Sequence, residues 1–355
     1  MKLIRTVDAE GAVLCHDITQ IIKGVTKDAV FCKGHVVTKE DIPVLLSVGK
    51  DQLYVWEKEE GMLHENDAAE ILCEMCKGCN MERTQAKEGK IELKAACDGL
   101  LKVNNEALKT VNGLGQMMIA TRHGNFPVKQ GDKLAGTRII PLVIEEEKME
   151  AAREAAAKVT GVKPILELKP FVHKKVGIVT TGNEVFYGRI QDTFTPVIEE
   201  KLSEFDAEVI DHVIWNDDDK KVTASILEMI EKGADVVVCT GGMSVDPDDK
   251  TPLAIKNTGA RIVSYGAPVL PGAMFLLAYY EAGDRTVAVM GLPGCVMYAK
   301  RTIFDLVLPR VMADDSVSPE DLAALGQGGL CLNCPVCTYP NCGFGKGMYN
   351  RYRYR

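Results

Sequence analysis

Several common signals are missing from this sequence of 355 residues, and each absence removes a class of function. Basic charge is not in excess: 42 Lys and Arg stand against 50 Asp and Glu, a net charge of −8, which favours neither a nucleic-acid nor an anionic-membrane partner. No apolar run reaches bilayer length, and the longest, such as residues 273–280, fall well short of the ~20 residues a spanning helix needs. No secretory signal is visible, because Asp8 and Glu10 interrupt the start of the chain before an apolar run develops; a cytoplasmic location is expected. The six histidines (His16, His35, His64, His123, His173 and His212) share no ligand spacing and offer no candidate catalyst. The basic residues 351–355 read as a solvated tail.

What is present is an ordinary globular balance, 46% hydrophobic and 26% charged, in a chain long enough for two or three compact units. Short apolar runs at 12–14, 29–31, 35–37 and 52–56 read as strands. A helix is expected over 39–48 behind Thr38, and another over 66–79 capped by Asn66. Strand-like pieces return at 91–95, 100–103, 116–120 and 138–144, so residues 1–144 are expected to form a smaller, β-rich α+β region. A run of Ala, Glu, Lys and Met from 145 to 158 is helical by propensity. Gly161, Pro164 and Pro170 then close a linker over 145–171.

From 172 to 313 the pattern becomes strand, helix, strand. Strands are expected at 176–179, 207–215, 235–239, 260–264 and 286–290, with helices at 196–205, 219–232, 251–257 and 296–311. The strands are continuous rather than alternating apolar runs, as in an α/β domain whose parallel sheet is covered by helices on both faces. Ligands of such sheets lie outside the carboxyl ends of the strands, so the loops there carry the information.

The first such loop is Thr180-Thr181-Gly182-Asn183-Glu184, whose small residues let backbone N–H groups approach a phosphate and whose Glu184 could serve a metal ion. Taken alone, a plain β-to-α turn is the simpler reading of it. The loop Thr240-Gly241-Gly242-Met243-Ser244 combines a glycine pair with a hydroxyl. Asp246, Asp248 and Asp249 follow it, oxygen ligands suited to Mg²⁺ or, alternatively, caps for the next helix. Asp217, Asp218 and Asp219 follow the second strand, where capping and dipole compensation explain at least one of them. Pro271-Gly272 and Pro293-Gly294 each join a fixed φ to a flexible one, as a pocket wall or a simple turn would.

In this order the loops resemble the molybdopterin-binding domain, and most closely the molybdopterin molybdenumtransferase (molybdenum insertase) family, over about residues 172–312. A weaker echo lies at residues 11–19. The resemblance implies that Thr181, Gly182, Asn183, Gly241, Gly242 and Ser244, with Pro271, Gly272, Pro293 and Gly294, surround molybdopterin. It implies that Glu184, Asp217 and Asp249 act around Mg²⁺ or molybdate. It further implies release of nucleotide from adenylylated molybdopterin with molybdate insertion. The sequence departs from that family at Asp246, at Ala273-Met274 where a Lys-Pro pair is usual, and at Cys295-Val296 where Asn-Pro is usual. About 40 residues follow the α/β region, too few for the family's C-terminal β domain.

Twelve cysteines in a cytoplasmic chain call for something other than disulfides. Cys73, Cys76 and Cys79 are spaced along one helix face and read as buried small hydrophobes. In a Cys-rich tail, residues 314–355, Cys331, Cys334, Cys337 and Cys342 form C-x₂-C-x₂-C-x₄-C, a thiolate nest suited to an iron–sulfur cluster or Zn²⁺. Reduced free thiols are the plainer alternative. Two functions follow: an enzyme of molybdenum cofactor biosynthesis that inserts molybdate, or a non-catalytic molybdopterin carrier or sensor whose tail binds metal. A pterin nucleotide is the expected small-molecule partner, with a molybdoenzyme, another cofactor-pathway protein or a second copy of the chain as further candidates.

Overall fold

The computed structural model describes residues 2–22, 26–55, 60–161, 163–244, 246 and 249–347. Trp56, Val245, Pro247, Asp248 and residues 351–355 lie outside them. The chain forms two compact units. One comprises Met1–Ala96, Val103–Arg122 and Gln130–Glu167; the other comprises Cys97–Lys102, His123–Lys129 and Leu168–Arg355.

The first unit holds an antiparallel four-stranded sheet, ordered Met81–Arg83, Lys90–Ala95, Lys133–Ile139, Met117–Thr121. Ile91, Leu93 and Ala95 alternate with more exposed residues, the mark of a sheet buried on one face. The helix Glu65–Cys76 begins one residue before the expected cap: the side chain of His64 accepts from the Asn66 N–H, while Asn66 itself accepts from Gly89 N–H. Its inward stripe includes Ala69, Leu72, Cys73 and Cys76, and burial pushes both thiols up, that of Cys76 to about 12. Cys79 lies beyond the helix and is exposed. A helix over Asn105–Asn112, not expected from the sequence, is capped by Asn104, whose side chain accepts from Ala107 N–H at 3.0 Å. The segment expected as a linker forms the helix Glu146–Thr160 and buries Met149, Ala152 and Ala156 in this unit.

The second unit is built on β1 (Lys174–Thr181), α1 (Phe194–Leu202), β2 (Ala207–Trp215), α2 (Asp219–Glu231), β3 (Val236–Thr240), α3 (Thr251–Asn257), β4 (Arg261–Tyr265), β5 (Leu276–Ala282), β6 (Arg285–Leu292) and α4 (Ile303–Met312). The sheet order is β2-β1-β3-β6-β5-β4. Strands β2, β1, β3 and β6 are parallel, whereas β5 and β4 are antiparallel additions. The parallel sheet expected from the sequence is present in β2, β1, β3 and β6, and the antiparallel pairings of β5 with β6 and β4 with β5 extend it. The strand missing from that expectation is β5. Its run of apolar residues lies directly before β6, joined by the short turn at Gly283 and Asp284, and so forms a hairpin rather than a crossover.

Continuous apolar strands serve both faces of this sheet. Val176, Ile178, Val236, Val238, Ala288 and Met290 pack with Ile198, Leu202 and the buried side of α4. Val179, Val237, Cys239, Val287 and Val289 pack with Val222, Ile226, Met229 and Ile230 of α2 and with Ala254 and Ile255 of α3. Each fully buried aliphatic side chain contributes about 1.5–3 kcal/mol, and with two covered faces no strand position from Val236 to Thr240 is left outside. The helix expected at 296–311 instead starts at Ile303. Thr302 and Asp305 form a reciprocal capping box there, and residues Gly294–Met297 form only a 3₁₀ turn. Residues 314–347 are not a loose tail: Val317, Leu322 and Phe344 join the core. Asp315 accepts from Lys102 Nζ at 2.8 Å, Lys169 Nζ at 3.1 Å and Arg310 Nε at 2.6 Å.

Candidate functional site at the strand ends

Register places Thr180 beside both Ile214 and Thr240, and Thr240 beside Leu292, so the carboxyl ends of the four parallel strands end level. The loops that leave them begin at Gly182, Asn216, Gly241 and Pro293. Because β5 runs the opposite way, with Leu276 beside Gly291, the Pro271-Gly272 segment that precedes it arrives at the same edge. The sheet thus gathers at one edge all five loops singled out in the sequence.

The two main loops are fitted closely. A Cβ on Gly241 would stand 2.0 Å from the Thr181 carbonyl oxygen, and φ at Gly241 is +82°, so only glycine serves there. Thr251, at the start of α3, ties the loops together: its hydroxyl bonds the Gly241 carbonyl at 2.9 Å and the Thr181 hydroxyl at 3.1 Å. Gly182 N–H donates to Trp215 O at 3.1 Å, which joins the β1 and β2 loops. Asp249 does not cap α3. Its Oδ2 accepts the Ser244 N–H at 3.0 Å and closes the serine loop on itself. Tyr265 donates to Met243 O at 3.0 Å from the far side. Burial, with the Asp249 carboxylate nearby, pushes its phenol up and keeps it a donor.

Thr181 is buried, Gly182 and Asn183 are half-buried, and Glu184 is exposed in the turn Asn183–Phe186. Ser244 is exposed. Asp218, rather than Asp217, caps α2 by accepting from the Lys220 and Lys221 N–H groups. Asn216 Oδ1 is buried and, among the described residues, accepts no hydrogen bond. Gly272 is buried against Ile303, and Pro271 O accepts from Ile303 N–H at 3.3 Å, fixing that loop to α4. Pro293 is buried and Gly294 exposed.

Among the described residues, no group of three or more His, Cys, Asp or Glu side chains is placed to hold a metal ion. Glu184, Asp217 and Asp249 therefore share an edge without forming a cage, and the four tail cysteines do not meet at one point. Three contributors were not visible in the sequence reading: Thr251, Tyr265 and a hydroxyl cluster under β1. In that cluster His212 Nε2 lies 3.1 Å from Thr180 Oγ1 and 3.0 Å from Thr195 Oγ1, and Thr195 donates to Asp192 at 2.5 Å. Asp192 also accepts the Phe194 and Thr195 N–H groups that open α1. Its position two residues before the helix was the one legible signal.

A family model described as "Probable molybdopterin binding domain" matches residues 177–313. Over 135 residues the chain is 30% identical to a molybdopterin adenylyltransferase of Pyrococcus furiosus, covering 38% of this chain and 76% of that protein. The chain belongs to the molybdopterin-binding domain family. Over 80 residues it is also 38% identical to a CinA-like protein of Mycobacterium tuberculosis, of whose length it spans only 19%. Among solved structures, the tungsten cofactor synthesizing protein MoaB from Pyrococcus furiosus aligns over 40% of this chain and 89% of that one, with 24% identity and a TM-score of 0.31. A model for a domain of unknown function matches residues 3–57. No helix among the described residues is long and apolar enough to cross a membrane.

Proposed function

We propose that this molybdopterin-binding unit acts in molybdenum cofactor biosynthesis and holds molybdopterin by its phosphate between the loops 181–184 and 241–244. The observation that carries this reading is the closure of Gly241 on Thr181, locked by Thr251. Two successive glycines at positive φ turn the chain at the end of a buried strand, where backbone N–H groups suit an anion. Ser244 adds an exposed hydroxyl. The unpartnered Asn216 Oδ1, at the end of β2, suits a donor on the ligand such as a pterin amino group.

The chemistry at this edge is exchange at the pterin phosphate. Asp249 holds the serine loop in shape, Tyr265 supports it from behind, and Glu184 and Asp217 supply negative charge at the rim. Insertion of molybdate, with adenylylated molybdopterin as co-substrate, is one form of that exchange. Adenylyl transfer to molybdopterin is the other, and similarity to a protein named for that activity favours it. The three carboxylates do not form a Mg²⁺ cage, so no step is assigned to the ion. A non-catalytic carrier is the remaining reading, supported by the absence of a lysine at Ala273-Met274.

Anaerobic incubation of the full chain with molybdopterin and ATP, and separately with adenylylated molybdopterin and molybdate, tests these forms. Adenylylated pterin in the first mixture selects the transferase, and released nucleotide in the second selects the insertase. Tight binding with neither product selects the carrier, and no binding of either pterin ends the proposal.

A further inference from the structure

Cys331, Cys334, Cys337 and Cys342 all line one cavity of about 360 Å³, together with Pro271, Tyr298, Lys300, Arg301, Leu330 and Phe344 among others. We infer that this cavity is the seat of an iron–sulfur cluster, of the cubane four-iron type, held by these four thiolates.

The loop that carries the cysteines is a built structure. Its base is closed by Gly345 N–H on Gly328 O at 2.9 Å, and Leu270 pairs with it through Leu270 N–H to Gly329 O and Cys331 N–H to Leu270 O, each 2.8 Å. Phe344 is sunk in the core, and the Tyr339 hydroxyl donates to Asp305 O at 2.8 Å. Cys331, Tyr339 and Cys342 also pack against the core, and the stretch between Cys331 and Tyr339, residues 332–338, contains no helix or strand. All four cysteines are free of disulfides, and Leu332 and Val336 are 78% and 77% exposed rather than packed inside. A group bound by all four thiols would organise the loop from within.

The geometry selects the group. A structural Zn²⁺ draws four sulfurs to about 2.3 Å from a single point. The four cysteines instead line a space much larger than an ion, and no three of them are gathered as ligands of one. Among the described residues no histidine or carboxylate lines the cavity, so its four strong metal donors are all sulfur, as iron–sulfur clusters take. Each thiol gives up its proton on binding, and four thiolates around the cluster core leave it anionic. Lys300 donates to the Cys334 and Pro335 carbonyls at 3.3 and 2.9 Å, which places a positive charge on the segment carrying the two central thiols. Binding here stands apart from the pterin reading, although Pro271 belongs both to this wall and to the strand-end edge.

The test is anaerobic reconstitution of the full chain with ferric iron and sulfide under thiol reductant, which brings half of the iron to the ferrous state, followed by iron, zinc and acid-labile sulfide analysis. The expected result is about four irons and four sulfides per chain, with broad visible absorption that bleaches on reduction by dithionite. A Cys334→Ser/Cys337→Ser double variant should lose at least nine-tenths of the iron and yet bind molybdopterin as the wild type does, whereas Cys295→Ser, outside the cavity, should retain the iron. One zinc per chain without sulfide, or iron unchanged in the double variant, overturns the inference. If the double variant does not fold, the iron-to-sulfide ratio of the wild-type chain decides alone. Loss of pterin binding with the cluster intact would count only against the function proposed above.

Discussion

Gly241→Ala probes the fit between the two phosphate loops, and its cost can be worked out from two separate terms. The new methyl group would enter a backbone region at φ +82° that L residues avoid, which costs roughly 1–2 kcal/mol. It would also stand 2.0 Å from the Thr181 carbonyl oxygen, a backbone atom that cannot turn aside, and overpacking of that kind costs roughly 1–3 kcal/mol. The sum, about 2–5 kcal/mol, is a large part of a typical stability of 5–15 kcal/mol but leaves the chain folded. Gly233→Ala is the matched control: φ there is +99°, yet nothing lies within 4 Å of the added Cβ, so only the backbone term applies. The chain has two tryptophans, and a Trp56→Phe background leaves Trp215, at the end of β2, as the sole reporter. Urea titrations by fluorescence should then show Gly241→Ala less stable than Gly233→Ala by about the overpacking cost. Molybdopterin affinity should fall at least tenfold in the first variant and stay unchanged in the second. Equal midpoints with wild-type affinity in both would refute the close approach on which the site rests.

Three further outcomes are expected. Asp249→Asn keeps an oxygen for the Ser244 N–H and should retain pterin binding within about threefold, whereas Asp249→Ala should weaken it about tenfold, a loss of ~1.4 kcal/mol; calorimetric titration separates the two, and equal losses would mean the charge rather than the loop geometry matters. Burial alone would raise the Asp315 carboxyl, but the hydrogen bond from Lys102 and the charge of Arg310 outweigh it and bring the group from 3.8 to about 2. The stability it contributes is therefore present above its ordinary value and lost as pH falls through about 2. Asp315→Asn should cost roughly 2–4 kcal/mol at neutral pH, less than a fully buried pair because Asp315 keeps some water, and the gap from wild type in urea titrations should close between pH 3.8 and about 2. Cys76 and Cys239, both buried with thiols pushed up to about 12, should resist alkylation of the native chain at pH 8 while exposed Cys79 reacts; peptide mapping by mass spectrometry that found all three labelled alike would contradict this.

The α/β unit was legible because its strands are buried on both faces and carry no competing polar period, as the runs at Val176 and Val236 show. Its strand-end loops were legible because glycine pairs and clustered aspartates stand out against such runs. The hairpin of β5 and β6 was not, since an apolar run reads the same whether its partner is parallel or antiparallel. The starts of α1 and α4 were misplaced because they are set by Asp192 and by the Thr302–Asp305 box, local signals that a search for apolar spacing passes over. Thr251 and Tyr265 act on the loops from positions that no motif marks. Their roles depend on tertiary approach alone. The cysteine spacing suggested a thiolate nest, but only the fold showed the segment anchored to the second unit and its four cysteines lining one cavity.

The central claim, that the strand-end loops hold molybdopterin by its phosphate, is tested most directly by anaerobic calorimetric titration of the full chain with molybdopterin and with the same pterin lacking its phosphate. Saturable binding of the first, weakened at least tenfold for the second and again in Gly241→Ala, is the predicted result. Equal affinity for both pterins, or binding untouched by Gly241→Ala, would contradict it.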